Sequence, residues 1–220
     1  MNIPSIQSRG VMFDRILAAI ALVAISPVLI VIGLAILIED GRPIFFRQRR
    51  VGRSGKLFSL LKFRSMRVGM PGASITAGSD PRITRLGNIL RKYKLDELPQ
   101  LWNVVKGEMR MVGPRPEVPN FVDLQNPVWR GVLQVSPGIT DLASLIYRNE
   151  EEVLKAAPDT ERYYRETVQP NKLALNLHYI RTRTMSSDFR LILLTVRYSL
   201  APKQFNADRI ARSFLGEKAL

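Results

Sequence analysis

The stretch ILAAIALVAISPVLIVIGLAILI, residues 16–38, runs for 23 residues without a charged side chain. As a straight helix it rises roughly 35 Å, enough to span the hydrocarbon core of a bilayer. A helix on the surface of a soluble domain would carry a polar stripe, and this one has none. Arg9 and Arg15 suit the charged start of a signal peptide. The apolar run is long for that role, however, and passes into Glu39, Asp40, Gly41 and Arg42 with no small-residue cleavage pattern, so a retained anchor is expected. Ser26-Pro27 lies near its middle. Proline lacks a backbone donor and crowds the carbonyl four residues back, which kinks or breaks a helix, while Ser26 can bond locally to relieve the disruption. Each half alone is too short to span. Basic residues flank both ends: Arg9 and Arg15 before, and Arg42, Arg47, Arg49, Arg50, Arg53 and Lys56 after. The preference of such clusters for the cytoplasmic side favours a re-entrant helix-break-helix over a spanning helix, which stays open on these residues alone.

The 220-residue chain holds 33 Lys and Arg against 19 Asp and Glu, a formal charge of +14. That excess points to a polyanion: nucleic acid, anionic lipid or a phosphorylated substrate. No zinc-finger spacing or heptad basic region selects nucleic acid, and no nucleic-acid partner is expected. Cysteine is absent and His178 is the single histidine, which removes disulfides, thiolate nucleophiles and histidine metal clusters.

Beyond the anchor, residues 44–47 and 56–63 read as extended pieces joined by a turn at Gly52-Arg53-Ser54-Gly55. The stretch FFRQRRVGRSGKLFSLLKFRSM, residues 45–66, is either a lipid-facing basic patch or a phosphate-binding group; both roles can hold. Residues 71–81 are rich in Gly, Ser and Pro and read as a mobile loop. Residues 83–93 show helical spacing with Ile83, Leu86, Ile89 and Leu90 on one side and cations on the other, suited to an anionic interface or to a small core. In LDELPQLWNVVKGEM, residues 95–109, Asp96 and Glu97 precede an apolar helix ending near Gly107. Capping that helix is one role for Asp96; serving as a nucleophile or metal ligand is another. In VGPRP, residues 112–116, two prolines fix the backbone around Arg115 and orient its guanidinium, an arrangement suited to clamping a phosphate. Residues 135–141 form a tight loop, and 150–156 and 159–168 read as exposed helices. Residues 173–180 are helix or strand, with His178 a surface or packing residue. Ser187 is a candidate cap for a helix through Leu200 whose Leu191-Ile192-Leu193-Leu194 run needs an apolar neighbour or lipid. A basic, loose tail follows, residues 201–220.

Taken together, these motifs resemble the bacterial sugar transferase family, the monotopic phosphoglycosyl transferases. The resemblance runs from about residue 11 to 198. It rests on the apolar segment with Ser26-Pro27, on FFRQRRVG, on KFRSM at 62–66, on LDELPQLWNVVKGEM, on VGPRP and on PGIT at 137–140. It implies an α+β monotopic membrane protein. Residues 11–40 form a re-entrant helix broken at Ser26 and Pro27, and 41–200 form a small, mostly helical catalytic domain with a short β-hairpin and interfacial amphipathic helices, on the cytoplasmic face of the bacterial inner membrane. It implies transfer of a sugar 1-phosphate from a nucleoside diphosphate sugar, usually UDP-linked, to polyprenyl phosphate, with release of the nucleoside monophosphate, as the first membrane step of glycan synthesis. By the same match Asp96 is the nucleophile and a Mg²⁺ ligand, Glu97 completes the catalytic dyad, and Lys62, Arg64 and Arg115 bind substrate phosphates. Membrane lipids are implied partners, and a homo-oligomer stays open.

Two positions depart from the family pattern. Gly10-Val11 stand where Lys-Arg is common, so anchoring at that end is expected to lean on Arg9 and Arg15. Asp141-Leu142 follow Gly138-Ile139-Thr140 where Gly-Trp is common, which leaves the base and sugar open. The multi-span N-terminal half of larger relatives is not in this sequence, which reads as a minimal catalytic form. The competing non-enzymatic reading is a basic membrane adaptor that binds anionic lipid or partner proteins; it gives the Asp96-Glu97 pair no role.

Overall fold

The computed structural model describes residues 6–70 and 80–216. The loop expected at 71–81 falls almost entirely outside them. The fold is α+β, with one long apolar helix, α1 (Ile6–Asp40), and a mostly helical domain built around two small strand pairs. Among the described residues α1 is the one helix long and apolar enough to cross a membrane, and little of its apolar stretch is buried by the protein.

Helix α1 continues through Pro27. The break expected at Ser26-Pro27 does not interrupt the helical structure: the two halves belong to one continuous helix. Ser26 Oγ donates to the Val23 carbonyl at 2.8 Å, the local bond anticipated for it. The helix packs along one face only. Ala18 is fully buried against Leu60, Leu101, Val104 and Met109, and Ile32 and Ile36 pack with Phe63 and Leu90. Outside that face, Ile20, Val23, Val31, Leu34 and Ile38 are more than half exposed.

Both ends of α1 fasten to the same domain. At the N-terminal end Asp14 pairs with the Arg110 guanidinium and accepts from the Met111 amide at 3.2 Å, while Arg15 Nε donates to the Val105 carbonyl at 2.7 Å. A Cβ at Gly10 would lie 2.4 Å from Arg110 Nη2, the far end of the side chain that pairs with Asp14. At the other end Gly41 takes the left-handed conformation (φ 72°) that ends helices, and its amide bonds back to Leu37. Arg64 then donates to the carbonyls of Asp40, Gly41 and Arg42 at 2.8–2.9 Å and pairs with the Asp40 carboxylate at 3.2 Å. One guanidinium thus collects carbonyls left without partners where the helix stops. Arg64→Ala is expected to lower detergent-phase stability by about 3 kcal/mol, the scale of lost bonds to a buried charge. An unchanged thermal midpoint would show that the end of α1 does not depend on Arg64.

The expected hairpin is present, with its first strand longer than read from the sequence. Strand β1 (Phe45–Val51) pairs antiparallel with β2 (Leu57–Phe63), from Phe45 opposite Phe63 to Val51 opposite Leu57. Helix α2 (Arg85–Lys92) follows, capped by Thr84, and then α3 (Gln100–Lys106), which ends at Gly107 as expected. Buried Asn103 joins α3 to β2: it accepts from the Leu61 amide at 3.0 Å and donates to the Ser59 carbonyl at 2.7 Å.

The second strand pair has no signal in the residue pattern. β3 (Arg110–Val112) and β4 (Gly138–Thr140) run parallel, after α4 (Pro127–Val132) has carried the chain between them. The pair brings VGPRP and PGIT together. The Gly113 amide donates to Thr140 and the Gly138 amide to Pro114, both at 3.0 Å. Gly113 and Gly138 touch, since a Cβ on Gly138 would lie 2.1 Å from the Gly113 nitrogen. The backbone leading to Arg115 is therefore held on both sides, by its prolines and by β4.

The remaining helices cover this pair: α5 (Leu142–Ile146), α6 (Glu150–Lys155), α7 (Thr160–Tyr163) with a π-helical turn at Tyr164–Val168, α8 (Gln169–Thr182), α9 (Met185–Leu200) and α10 (Ala207–Leu215). Residues 173–180 are thus helical, inside α8, and His178 is exposed. Thr184 caps α9, with Ser187 bonding back to the Thr184 amide in a capping box, so the expected cap lies three residues earlier. The segment expected to be a loose tail holds α10. Its Ile210 is buried in a cluster with Leu145, Tyr179, Leu191 and Tyr198, with Phe214 and Leu215 packed alongside. Apolar spacing over nine residues, hidden among basic ones, accounts for the difference.

Candidate active site

A cavity of about 680 Å³ opens between the hairpin, the turn before α3 and the start of α6. Nine Lys or Arg and four acidic residues are among those that line it, so its walls carry a positive excess. Asp96 sits in a single 3-10 turn, Leu95–Glu97, which Lys94 enters in the left-handed conformation (φ 57°). This turn links α2 to α3 and sets the two adjacent carboxylates in different surroundings.

Asp96 lines the cavity and is 5% exposed. Its Oδ1 is buried with no hydrogen-bond partner. It does not cap α3, whose N-cap is Pro99 with no side-chain bond, so the capping reading of Asp96 is corrected. Burial, followed by the neighbouring Glu97 charge, pushes its carboxyl above the usual aspartate range, against the pull of Lys62, Lys94 and Arg91.

Glu97 points to the cations instead. Its Oε1 accepts from Lys62 Nζ at 3.3 Å and its Oε2 from Arg115 Nη1 at 3.0 Å, with a second, shorter bond from Arg115 Nη2 to Oε1. Burial works against its charge, yet Arg115 and then Lys62 outweigh that and hold it well below the ordinary glutamate range. The pairing raises the Arg115 pKa, while burial lowers that of Lys62. Glu97 thus fixes two cavity cations beside Asp96, with both of its oxygens committed to them.

Of the expected phosphate binders, the structure brings Lys62 and Arg115 together on Glu97. Arg64 also lines the cavity, but its guanidinium is engaged with the end of α1 and stands apart from that pair. The sequence reading missed Arg91. It lies on α2, lines the cavity, pairs with Glu151, and has a buried Nε without a partner. Its place on an amphipathic helix disguised it as one of several interfacial cations. Further round the wall, Arg50 pairs with Glu117 at 3.2 Å and Tyr164 donates to the same carboxylate, both unsignalled in the sequence. Asp141, the departure noted after PGIT, caps α5 by accepting from the Ser144 amide at 2.9 Å.

Among the described residues, no three His, Cys, Asp or Glu side chains converge as a metal cage. Mg²⁺ is often held by one carboxylate and by substrate oxygens, and Asp96, whose buried Oδ1 has no hydrogen-bond partner, is the carboxylate that would hold it here.

The bacterial sugar transferase model matches residues 7–202, nearly the whole chain. The chain belongs to the bacterial sugar transferase family. Among its relatives is the exopolysaccharide production protein ExoY of Sinorhizobium fredii, 32% identical over 201 residues that cover 84% of this chain and 82% of ExoY. The UDP-glucose:undecaprenyl-phosphate glucose-1-phosphate transferase of Escherichia coli is 36% identical over 189 residues, 83% of this chain and 38% of that protein. The UDP-N-acetylgalactosamine-undecaprenyl-phosphate N-acetylgalactosaminephosphotransferase of Aeromonas hydrophila is 33% identical, over 84% of this chain and 42% of its own length. This family member therefore spans about two fifths of those two transferases and most of ExoY. With one long apolar helix among the described residues, it is a membrane-associated member of that family.

Proposed function

We propose that the protein transfers a sugar 1-phosphate from a UDP-sugar to polyprenyl phosphate through a covalent intermediate on Asp96. The observation that carries this reading is the division of labour in the dyad: Asp96 faces a cationic cavity with a free buried oxygen, while Glu97 is spent on Lys62 and Arg115. The two transferases among the relatives, named for transfer from UDP-glucose and from UDP-N-acetylgalactosamine onto undecaprenyl phosphate, supply the substrate class.

In the first step an Asp96 oxygen attacks the sugar-proximal phosphorus. The bond from that phosphorus to the bridging oxygen breaks, UMP leaves with the electron pair, and Asp96 carries the sugar phosphate as an acyl phosphate. In the second step an oxygen of the lipid phosphate attacks the same phosphorus and Asp96 departs as the carboxylate. The two steps let a soluble and a lipid-borne substrate react in turn rather than meet at once. Lys62 and Arg115, held by Glu97, neutralise charge on the pyrophosphate without reorganising. Mg²⁺, when bound at Asp96 and the substrate phosphates, would add further neutralisation. Re-entrant insertion of α1 from the cytoplasmic face accords with both its ends being pinned to one domain. It would present the cavity at the depth where the acceptor's phosphate lies.

The test is a panel of UDP-sugars with undecaprenyl phosphate and Mg²⁺ on detergent-purified protein; UMP release with one donor and lipid-linked sugar phosphate as product are expected. An adaptor without catalytic activity would release UMP with none of them. The reaction needs ionised Asp96. In the Mg²⁺-free protein the Asp96 carboxyl, followed by its ¹³C shift, should titrate above 3.8, the ordinary aspartate value, because burial and the Glu97 charge disfavour its ionised form. A midpoint at or below that value would contradict the placement of this carboxylate in the buried cavity wall.

A further inference from the structure

Beyond Arg115 the cavity wall is built from paired charges that the chemistry at Asp96 does not use. Arg50 Nη1 donates to Glu117 Oε1 at 3.2 Å, and the Tyr164 hydroxyl donates to the other oxygen of the same carboxylate. Lys172 Nζ donates to Glu150 Oε2 at 2.6 Å and lies over the Tyr164 ring. All of these side chains line the cavity. Arg50 comes from β1, Glu150 from α6 and Lys172 from α8. Glu117 stands two residues after Arg115, so the wall continues directly from the cations beside the dyad. Tyr164 opens the π-helical turn, an irregularity that recurs at functional sites.

Building on the UDP-sugar reading above, we propose that Arg50, Glu117, Glu150, Tyr164 and Lys172 form the subsite for the sugar ring of the donor and set which sugar is accepted. Charge balance speaks against a phosphate here. The two cations are matched by two carboxylates, so the positive excess of the cavity lies elsewhere in its lining, where a pyrophosphate is better held. Aromatic coverage speaks against the nucleobase. Phe121 and Tyr164 are each 4% exposed, and their rings are covered by Arg165 and Lys172, 4.2 and 5.6 Å from the ring centres, so neither offers an open face for a base to stack on. A neutral ligand rich in hydroxyls fits what remains. Each sugar hydroxyl can donate to a carboxylate oxygen and accept from a guanidinium, an ammonium or a phenol, and the wall alternates these groups. Burial, followed by the Glu117 charge, pushes the Tyr164 hydroxyl above its usual range, so it stays a donor. The ion pairs hold the alternation in place before the sugar arrives. An epimer with one hydroxyl misplaced would leave a polar group of this wall unmatched, which is how a site built for hydroxyls rejects close analogues.

Kinetics on the full, detergent-purified chain separate the sugar from the nucleotide. The UDP-sugar that supports UMP release would be compared with UDP, which lacks the sugar, as a competitive inhibitor. Tyr164→Phe, which keeps the packed ring, and as a separate variant Glu150→Gln are expected to lower kcat/KM for that donor roughly tenfold, the scale of one hydrogen bond to a charged partner, while the UDP inhibition constant stays within about twofold of the parent's. The same variants should narrow the parent's preference for its donor over other UDP-sugars. Equal losses for the donor and for UDP would overturn the assignment in favour of a nucleotide-binding or purely structural role. An unchanged kcat/KM in both variants would overturn it by placing the sugar elsewhere. A parent chain that releases UMP from no UDP-sugar would overturn the donor reading itself, a result distinct from the other two.

Discussion

Asp96→Asn is expected to abolish sugar phosphate transfer, lowering kcat on the order of 10⁴-fold or more, the scale seen when a nucleophile is removed and binding alone remains. The amide has nearly the same shape and cannot form the acyl phosphate. The same variant should not lose stability. Burial and the Glu97 charge make the ionised form of Asp96 costly, and a neutral isostere relieves that cost. The expected signature is therefore an inactive protein whose thermal midpoint is at or above the parent's, as at sites where function is kept against stability. Substantial turnover by this variant would sink the covalent reading. A large fall in midpoint would make Asp96 a structural residue.

Glu97→Ala should have the opposite balance, with both stability and activity falling. It leaves Lys62 and Arg115 partly or wholly buried beside one another without their shared anion. Breaking such a buried pair from one side costs about 3–5 kcal/mol, mostly as the penalty on the stranded charges. The pH dependence has a definite sign. The folded pKa of Glu97 lies well below 4.5, so its stabilisation is complete above the ordinary glutamate range and is lost as pH falls through the depressed value. The gap between parent and Glu97→Ala midpoints should accordingly be wide at neutral pH and narrow in acid. Removing Arg115 as well should cost less than the two single changes added together, since the partners share one interaction. Additive losses would show that Glu97 and Arg115 act separately.

Residues that line or flank the cavity were legible in the sequence because their types and order are informative: a dyad ahead of a helix, an arginine between prolines, a basic hairpin after an apolar run. The hairpin itself showed in its turn glycines and aromatic strand residues. What the sequence hid depends on contacts between distant segments. Strands β3 and β4 are three residues each, too short for alternation to register, and their parallel pairing joins residues 28 positions apart in the chain. Arg64 reads as one more cation of a phosphate patch until the end of α1 is placed against it. Arg91 reads as interfacial until α2 turns it into the cavity. The pairing of Asp14 with Arg110 spans 96 positions and has no local signature. Capping was the ordinary expectation for Asp96; the 3-10 turn at Leu95–Glu97 displaced it by setting the carboxylate in the cavity wall.

The most direct measurement omits the acceptor. The protein would be incubated with Mg²⁺ and the UDP-sugar that supports release, quenched, and examined by intact mass and peptide mapping. The account predicts up to one phosphosugar per chain, located on Asp96, with a matching equivalent of UMP, and loss of the adduct to lipid when polyprenyl phosphate is added. No adduct, with UMP appearing only when both substrates are present, would contradict it.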